Sequence, residues 1–276
     1  QDKALDNAAL NLLKNADAVV HVVRAFENEN IRHPRGSVNP ERDVIALEEE
    51  LQLIDLIIFE KRVERLEKEH KKDTEHELLV RCKAHLETGA PLRTLELNAQ
   101  EESSLRNFTF LSQKPMMVLG NYGDDAIGKD NPSGLHEVTQ KLNLKLIEFC
   151  GALEMEVNQL PEEERASFRE ELGLGEESRI RFIQFAYEML GLISFLTAGE
   201  PEVRAWTIRR GTHAVDAAGV IHSDIKRGFI RAETVAYDHF MEAGSMAKAK
   251  EKGWVRLEGK EYVVQDGDML LFRFNV

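Results

Sequence analysis

Two patterns that could serve nucleotide chemistry overlap in one stretch, MMVLGNYGDDAIGKDNP, from Met116 to Pro132. One is Asn121-Tyr122-Gly123-Asp124, an N-x-x-D loop. An asparagine amide there can reach the N7 or amino edge of a purine, and a carboxylate three residues on can accept from ring N–H groups. The other is Gly123, four residues, then Gly128-Lys129, which nearly spells a phosphate loop. Such a loop offers backbone N–H groups, a lysine, and a Ser or Thr hydroxyl for magnesium at the start of a helix. Here position 130 is Asp, Asp124 and Asp125 would repel phosphate, and Pro132 prevents a helix from starting at Lys129. The phosphate reading is therefore rejected, and no other G-x-x-x-x-G-K-S/T occurs in the chain. The base-reading loop follows an apolar run, KPMMVLGN, that reads as a buried strand, and open α/β sheets hold ligands at strand carboxyl ends. On the four residues alone, a surface turn with Gly123 supplying positive φ is the simpler account.

The elements that would position this loop alternate between helix and strand. Ala4 to Ala16 carries Leu5, Ala9, Leu12, Leu13 and Ala16 at helical spacing, and Ala18 to Val23 (AVVHVV) is a β-branched run typical of a buried parallel strand. His21 inside that run reads as a packed, hydrogen-bonded strand histidine. After a charged loop, Glu27 to Asn39, a helix is predicted from Pro40, with Val44, Leu47, Leu51, Ile54 and Ile58 at three- and four-residue intervals and Leu66 two such steps further on. A second helix, Glu75 to Glu87, ends at Gly89 and Pro91. The pair forms a hairpin that interrupts the α/β alternation and so reads as an insertion, either an arm that touches a partner or a solvated helix pair. Leu135 to Leu142 is predicted as a helix and LKLIEFCG as a strand. PEEERASFREELG and SRIRFIQFAYEMLGL follow as two more helices. Beyond Ala198 the texture shifts to short strands, predicted at 203–209, 228–235, 254–257, 261–264 and 269–274, with a helix over 212–221. The last segment reads as a small α+β module.

With 276 residues, 42% of them apolar and 31% charged, the chain can fill one large or two medium cores. No apolar run approaches the roughly 20 residues of a membrane span and no signal-peptide pattern opens the chain. Two distant cysteines, Cys82 and Cys150, suggest neither a disulfide framework nor a zinc site. These features point to a cytoplasmic protein. The net charge of −13 argues against bulk attraction to nucleic acid, DNA included. From Gly199 onward, however, twelve Lys/Arg face twelve Asp/Glu, so all the excess negative charge lies earlier. Lys226, Arg227 and Arg231 flank and enter a predicted strand and are candidate RNA phosphate contacts, with Arg209 and Arg210 second choice. Ordinary surface charge explains them equally. His213, His222 and His239 lack a Cys or carboxylate partner at metal-ligand spacing.

Several stretches together resemble the YchF/Obg-like ATPase family: DAVVHVVRAFEN, VNPERDVIALEEELQLIDL, LGLGEESRIRFIQFAYEMLGLISFLTAGEPEVRAWTI, GTHAVDAAGVIHSDIKRGFIRAETVAYDHF and GKEYVVQDGDMLLFRFNV. The similarity covers nearly the whole chain, and VRAWTI, IHSDIKRGFIRAET and DGDMLLFRFNV are its most specific parts. In that family a P-loop domain carries an inserted helical hairpin and ends in a TGS domain, a β-grasp module. The resemblance therefore implies an α/β fold with a partial P-loop NTPase-type parallel sheet over 1–39 and 110–197. It places the hairpin at 40–109 and a TGS domain at 198–276. It implies binding and hydrolysis of ATP, with GTP an alternative, using Mg2+ in the intact protein, and association with the ribosome or RNA.

Residue by residue, the resemblance makes Asn121, Tyr122 and Asp124 base contacts and matches Cys150-Gly151-Ala152 to the second base-flanking loop. The chain departs from the family in three ways. The P-loop, switch region and D-x-A-G magnesium motif that relatives carry ahead of LDNAALNLLKNADAVVHVV are not found in it. The base loop of relatives usually ends in Glu, whereas Asp124 is closer to the guanine-reading N-K-x-D. Tyr122 stands where that motif has lysine. The expectation is a preference for ATP over GTP narrower than in relatives with Glu, and no hydrolysis by these 276 residues alone. A non-enzymatic protein that uses the hairpin and C-terminal module to contact ribosome or RNA is the alternative. The oligomeric state is left open.

Overall fold

A computed structural model describes residues 5–126, 129, 133–174, 177–198 and 202–275. The chain forms two compact units, Gln1–Phe185 and Ala186–Val276. Gly128, Asp130 and Pro132, on which rejection of the phosphate loop rests, lie outside the described residues.

The first unit runs α1 (Asn7–Asn15), β1 (Val19–Ala25), α2 (Pro40–Lys68), α3 (Thr74–Glu87), α4 (Ala99–Leu105), β2 (Met116–Tyr122), α5 (Leu135–Lys141), β3 (Lys145–Phe149), α6 (Gly151–Gln159), α7 (Glu162–Glu171) and α8 (Ser178–Leu190), the last crossing into the second unit. β1, β2 and β3 form a parallel sheet in that order, with His21 opposite Val118 and Asn121 opposite Phe149. Because all three strands end together, the chain leaves each at the same edge of the sheet. Val19, Val23, Met116, Val118 and Tyr122 pack one face against Val44 and Leu51 of α2 and Leu135 and Val138 of α5. α6 was not anticipated, because GALEMEVNQ lacks a clear apolar stripe.

His21 departs from expectation. Its Nδ1 is buried and has no hydrogen-bond partner among the described residues. Burial, opposed by the field of Asp43, holds the imidazole below its usual pKa, so it stays neutral at pH 7.

α2 is one continuous 29-residue helix, roughly 43 Å long at 1.5 Å per residue. Asn39 caps it by accepting the Arg42 N–H at 3.0 Å, and Pro40 occupies the first turn, where its missing N–H costs nothing. Its inner stripe serves two cores. Val44 and Leu51 belong to the core of the sheet, whereas Phe59, Val63 and Leu66 pack with Leu79, Cys82 and Leu86 of α3 and with Phe110. Between the two cores the stripe is polar: Glu48, Gln52 and Asp55 are all buried. Asp55 accepts from the Leu111 and Ser112 N–H groups at 2.9 and 2.7 Å and from Ser112 Oγ at 2.6 Å, and Glu48 pairs with Arg93 at 2.6 Å. Asp55 thus clamps the returning chain just where the hairpin leaves the sheet.

The second unit adds β4 (Leu192–Ala198), β5 (Val203–Arg209), α9 (Ala214–Ile221), α10 (Ser223–Arg227), β6 (Phe229–Ala236), α11 (Tyr237–Ala243), α12 (Met246–Glu251), β7 (Arg256–Glu258) and β8 (Asp268–Phe274). Its mixed sheet has the order β5-β4-β8-β6-β7, with β4 parallel to β8 and the other pairs antiparallel, as in a β-grasp. Phe195, Ile208, Phe229, Leu270 and Phe272 meet Ala214, Ala217 and Ala218 of α9 on one face. The strand expected over 261–264 is only a single bridge, His213 to Val263, and β4, α11 and α12 had not been anticipated. Gly228 lies against the backbone carbonyl of Asn275, so any Cβ there would collide with main chain. Among the described residues no helix is long and apolar enough to cross a membrane.

Candidate functional site

Gly120 packs so closely that an added Cβ would stand 2.8 Å from Leu135 and 2.9 Å from the Tyr122 ring. This packing turns the Tyr122 side chain into the core, 6% exposed, with its hydroxyl 2.8 Å from Ser133 Oγ. Burial raises the phenol's pKa further above its ordinary value. Asn121, one residue earlier, faces the other way. Its Oδ1 accepts the Gly151 N–H at 3.0 Å, joining the end of β2 to the first residue of α6. Asp124 opens a short 3-10 turn, Asp124–Ala126, and accepts the Asp125 N–H at 3.0 Å.

A third wall comes from the end of β1. Arg24 folds the following loop by donating from Nε to the Phe26 carbonyl at 2.9 Å and from Nη1 to the Ile31 carbonyl at 2.8 Å, and its guanidinium lies 4.9 Å from the Phe26 ring centre. The three strand ends enclose one cavity of about 1060 Å³. It is lined by Ala25 to Asn28, Val38, Asn121 to Ala126, Lys129, Cys150 to Leu153, Met155 and Glu156. Asn121, Tyr122, Asp124, Cys150, Gly151 and Ala152 therefore lie together. Tyr122 and Cys150 are buried, so their contribution to the lining is chiefly backbone. Phe26, Val38 and Met155 were not named from sequence, although Phe26 sits at a strand carboxyl end just as Asn121 does, and Lys129 was named only in the rejected phosphate-loop reading.

The wall carries Glu27, Asp124, Asp125 and Glu156 against Lys129. That charge balance suits a neutral base, whose N–H edges need acceptors, and disfavours a polyphosphate. Among the described residues no group of three or more His, Cys, Asp or Glu side chains could hold a metal ion.

The basic residues singled out in the second unit separate. Lys226 pairs with Asp216 at 2.7 Å and Arg227 with Asp224 at 2.7 Å, both on α10, whereas Arg231 lies on β6. Arg210 donates its backbone N–H to the Gly191 carbonyl at 2.7 Å. The three histidines have separate surroundings: His213 Nδ1 lies 2.9 Å from the Glu261 carbonyl, His222 caps α10 by accepting the Asp224 N–H, and His239 stacks on Trp254.

The parallel sheet, its strand-end cavity and the appended β-grasp define an α/β protein of the GTPase-like fold class. Residues 192–275 match the family model YchF-GTPase_C, described as "Protein of unknown function (DUF933)". The chain is 42% identical to the ribosome-binding ATPase YchF of Bacillus subtilis (strain 168), covering 99% of this chain and 77% of that protein. It is 41% identical to the protein of the same name from Escherichia coli O157:H7, with the same coverage. The solved Schizosaccharomyces pombe YchF GTPase superposes with a TM-score of 0.88 at 29% identity, over 98% of this chain and 75% of that one. A GTP binding protein from Pyrococcus horikoshii OT3, at 17% identity and a TM-score of 0.59, shares the fold alone. The chain belongs to the YchF family.

Proposed function

We propose that this protein is a ribosome-associated nucleotide-binding factor that hydrolyses ATP, and that the cavity at the ends of β1, β2 and β3 holds the base. The observation that carries the reading is the bond from Gly151 N–H to Asn121 Oδ1, which sets the two base-flanking loops side by side in one cavity. With its oxygen so engaged, Asn121 is left with its amide N–H groups for the N7 edge of a purine. The Asp124 carboxylate, exposed at the rim, accepts from a base N–H, and the Phe26 ring supplies apolar contact. The relatives named ribosome-binding ATPase support both the nucleotide and the ribosome, and a ribosome-bound protein works in the cytoplasm.

In this proposal the phosphates and Mg2+ are held by a P-loop segment of the kind the family carries, which is not among these 276 residues. Residues 1–56 and 109–185 then form the nucleotide-binding domain, 57–108 the inserted hairpin and 186–276 the TGS domain. These bounds differ from those the resemblance implies because Val44 and Leu51 pack in the core of the first sheet and β4 pairs in the second. Photolabelling with 8-azido-ATP tests the base site. Label should fall on peptides containing Asn121 to Ala126 or Cys150 to Glu156, be competed by ATP more than by GTP, and drop in Asn121→Ala. Label that ATP does not displace, or that falls elsewhere, would favour a non-enzymatic ribosome- or RNA-binding protein.

A further inference from the structure

We infer that the outer edge of β5 is a docking strand, and that its occupant is an extended acidic segment of a partner protein, added to the sheet as a further strand.

β5 ends the order β5-β4-β8-β6-β7, so only one of its two sides is paired. Arg210 donates its backbone N–H to the Gly191 carbonyl at 2.7 Å, and that bond sets the phase of the antiparallel ladder with β4. Opposed residues in such a ladder alternate between bonded and non-bonded pairs. Arg204, Trp206 and Ile208 therefore bond to β4, and Val203, Ala205 and Thr207 turn their N–H and C=O groups outward. Among the described residues these outward groups meet no hydrogen-bond partner.

Edge strands are ordinarily blunted by shortness, a bulge, a proline, a cover or charge. The seven residues of β5 pair with β4 without a register shift, contain no proline, and are open to solvent at Val203, Ala205 and Thr207. Charge is the guard that remains. Positions 203 to 210 carry Arg204, Arg209 and Arg210 and no carboxylate. Two copies paired edge to edge would bring these arginines together, which is unfavourable. The same charge attracts an acidic strand.

Arg204 and Arg210 are placed to receive it. Arg227, Arg256 and Arg273 of the same unit each lie within 3.6 Å of a carboxylate, whereas among the described residues no ion pair engages Arg204 or Arg210. The Arg204 guanidinium lies 4.2 Å from the Trp206 ring centre, and Trp206 Nε1 is held by Thr197 Oγ1 at 2.9 Å. Stacking keeps the cation beside the edge with its N–H groups available to a carboxylate. Side chains alternate along a strand, so an added strand would set carboxylates on the Arg204 face and apolar groups against Val203 and Ala205. From Arg204 to Arg210 the extended chain covers about 20 Å, the span of a peptide of roughly seven residues. A nucleic-acid backbone has no alternating N–H and C=O groups to pair with this edge.

The test uses the full chain and three fluorescein-labelled peptides followed by anisotropy. EVEVTVEVE supplies strand and negative charge, EPEPTPEPE keeps the charge but cannot form a strand, and KVKVTVKVK keeps the strand but reverses the charge. The first should bind, and the other two should bind at least about tenfold more weakly. Ala205→Pro removes an outward N–H that β4 does not use, so it should weaken EVEVTVEVE about tenfold and leave the thermal melt in place. Arg204→Glu with Arg210→Glu should weaken the same peptide by about that factor and raise binding of KVKVTVKVK by as much. This charge reversal decides the question if the proline variant fails to fold.

Equal binding of EVEVTVEVE and EPEPTPEPE would reduce the contact to charge attraction and overturn the added strand. Full binding by a folded Ala205→Pro chain would overturn it as well. If the parent ignores all three peptides but self-associates in sedimentation velocity, and Ala205→Pro abolishes that association, the occupant is a second copy and the acidic partner is overturned.

Discussion

The side-chain oxygen of Asn121 accepts the backbone N–H of Gly151 at 3.0 Å, across thirty positions of sequence. Asn121→Ala deletes the acceptor and leaves that N–H unmatched, at a cost of about 1–3 kcal/mol if water does not replace it. Asn121→Asp keeps an acceptor and so should keep the loops joined, while adding charge to an already acidic wall. The two variants should therefore separate in thermal melts, with Ala lower than Asp. Both should lose 8-azido-ATP labelling. A melt for Asn121→Asp as low as that of Asn121→Ala would mean that the bond does not hold the loops.

Tyr122→Phe should leave ATP-competed labelling unchanged, because the ring faces the core and its hydroxyl meets Ser133 rather than the cavity. Stability should fall by only about 0.5–1.5 kcal/mol for the lost hydrogen bond. Loss of labelling with an intact melt would show that the hydroxyl itself contacts the nucleotide.

The hairpin should be removable, but not from its first residue. Replacing 57–108 with a short Gly-Ser loop, together with Glu48→Gln because Arg93 goes with the deletion, keeps Asp55 on Leu111 and Ser112. The ends are then already adjacent and closure is cheap. Replacing 40–109 instead removes Val44 and Leu51 from the core of the sheet. Large-to-small changes at such sites cost about 2–5 kcal/mol for a single leucine. Urea unfolding should show a cooperative transition for the first deletion and none for the second.

Glu154 joins three helices. It accepts from Arg169 at 2.8 Å and from Ser178 Oγ at 2.5 Å. Burial works against its charge, yet the hydrogen bonds from Arg169 and Ser178 outweigh it, and the carboxyl is held below its usual range. A carboxylate with a lowered folded pKa contributes stability above its unfolded value, about 4.3, and that contribution is lost as the pH falls through the folded value. Chemical denaturation from neutral pH down into this range should therefore show an acid-side decline that is shallower in Glu154→Gln. Parallel declines in the two proteins would assign it to other carboxylates.

Much of this molecule follows from local pattern. A β-branched run placed β1, an apolar run placed β2, three- and four-residue spacing placed α2, the stop at Gly89 and Pro91 bounded α3, and the strand-end position of Asn121 pointed to a ligand loop before any tertiary contact was considered. The family, too, was legible, because stretches such as IHSDIKRGFIRAET are specific as strings. Tertiary structure decided what depends on which groups meet. From sequence α2 reads as one apolar stripe, yet its first half serves the sheet and its second half the hairpin, with buried Glu48, Gln52 and Asp55 between, since only packing assigns a helix face to one core or another. Tyr122 and Asn121 are neighbours in the loop, but alternation along a strand sends one into the core and the other toward α6. Lys226, Arg227 and Arg231 are close in sequence, but carboxylates from α9 and α10 match the first two, and strand register sets Arg231 against Arg273, 42 residues away. Charge pairing acts through space over a few ångströms, so neither the cavity wall nor the pairing of Arg231 with Arg273 could be assembled from sequence order alone.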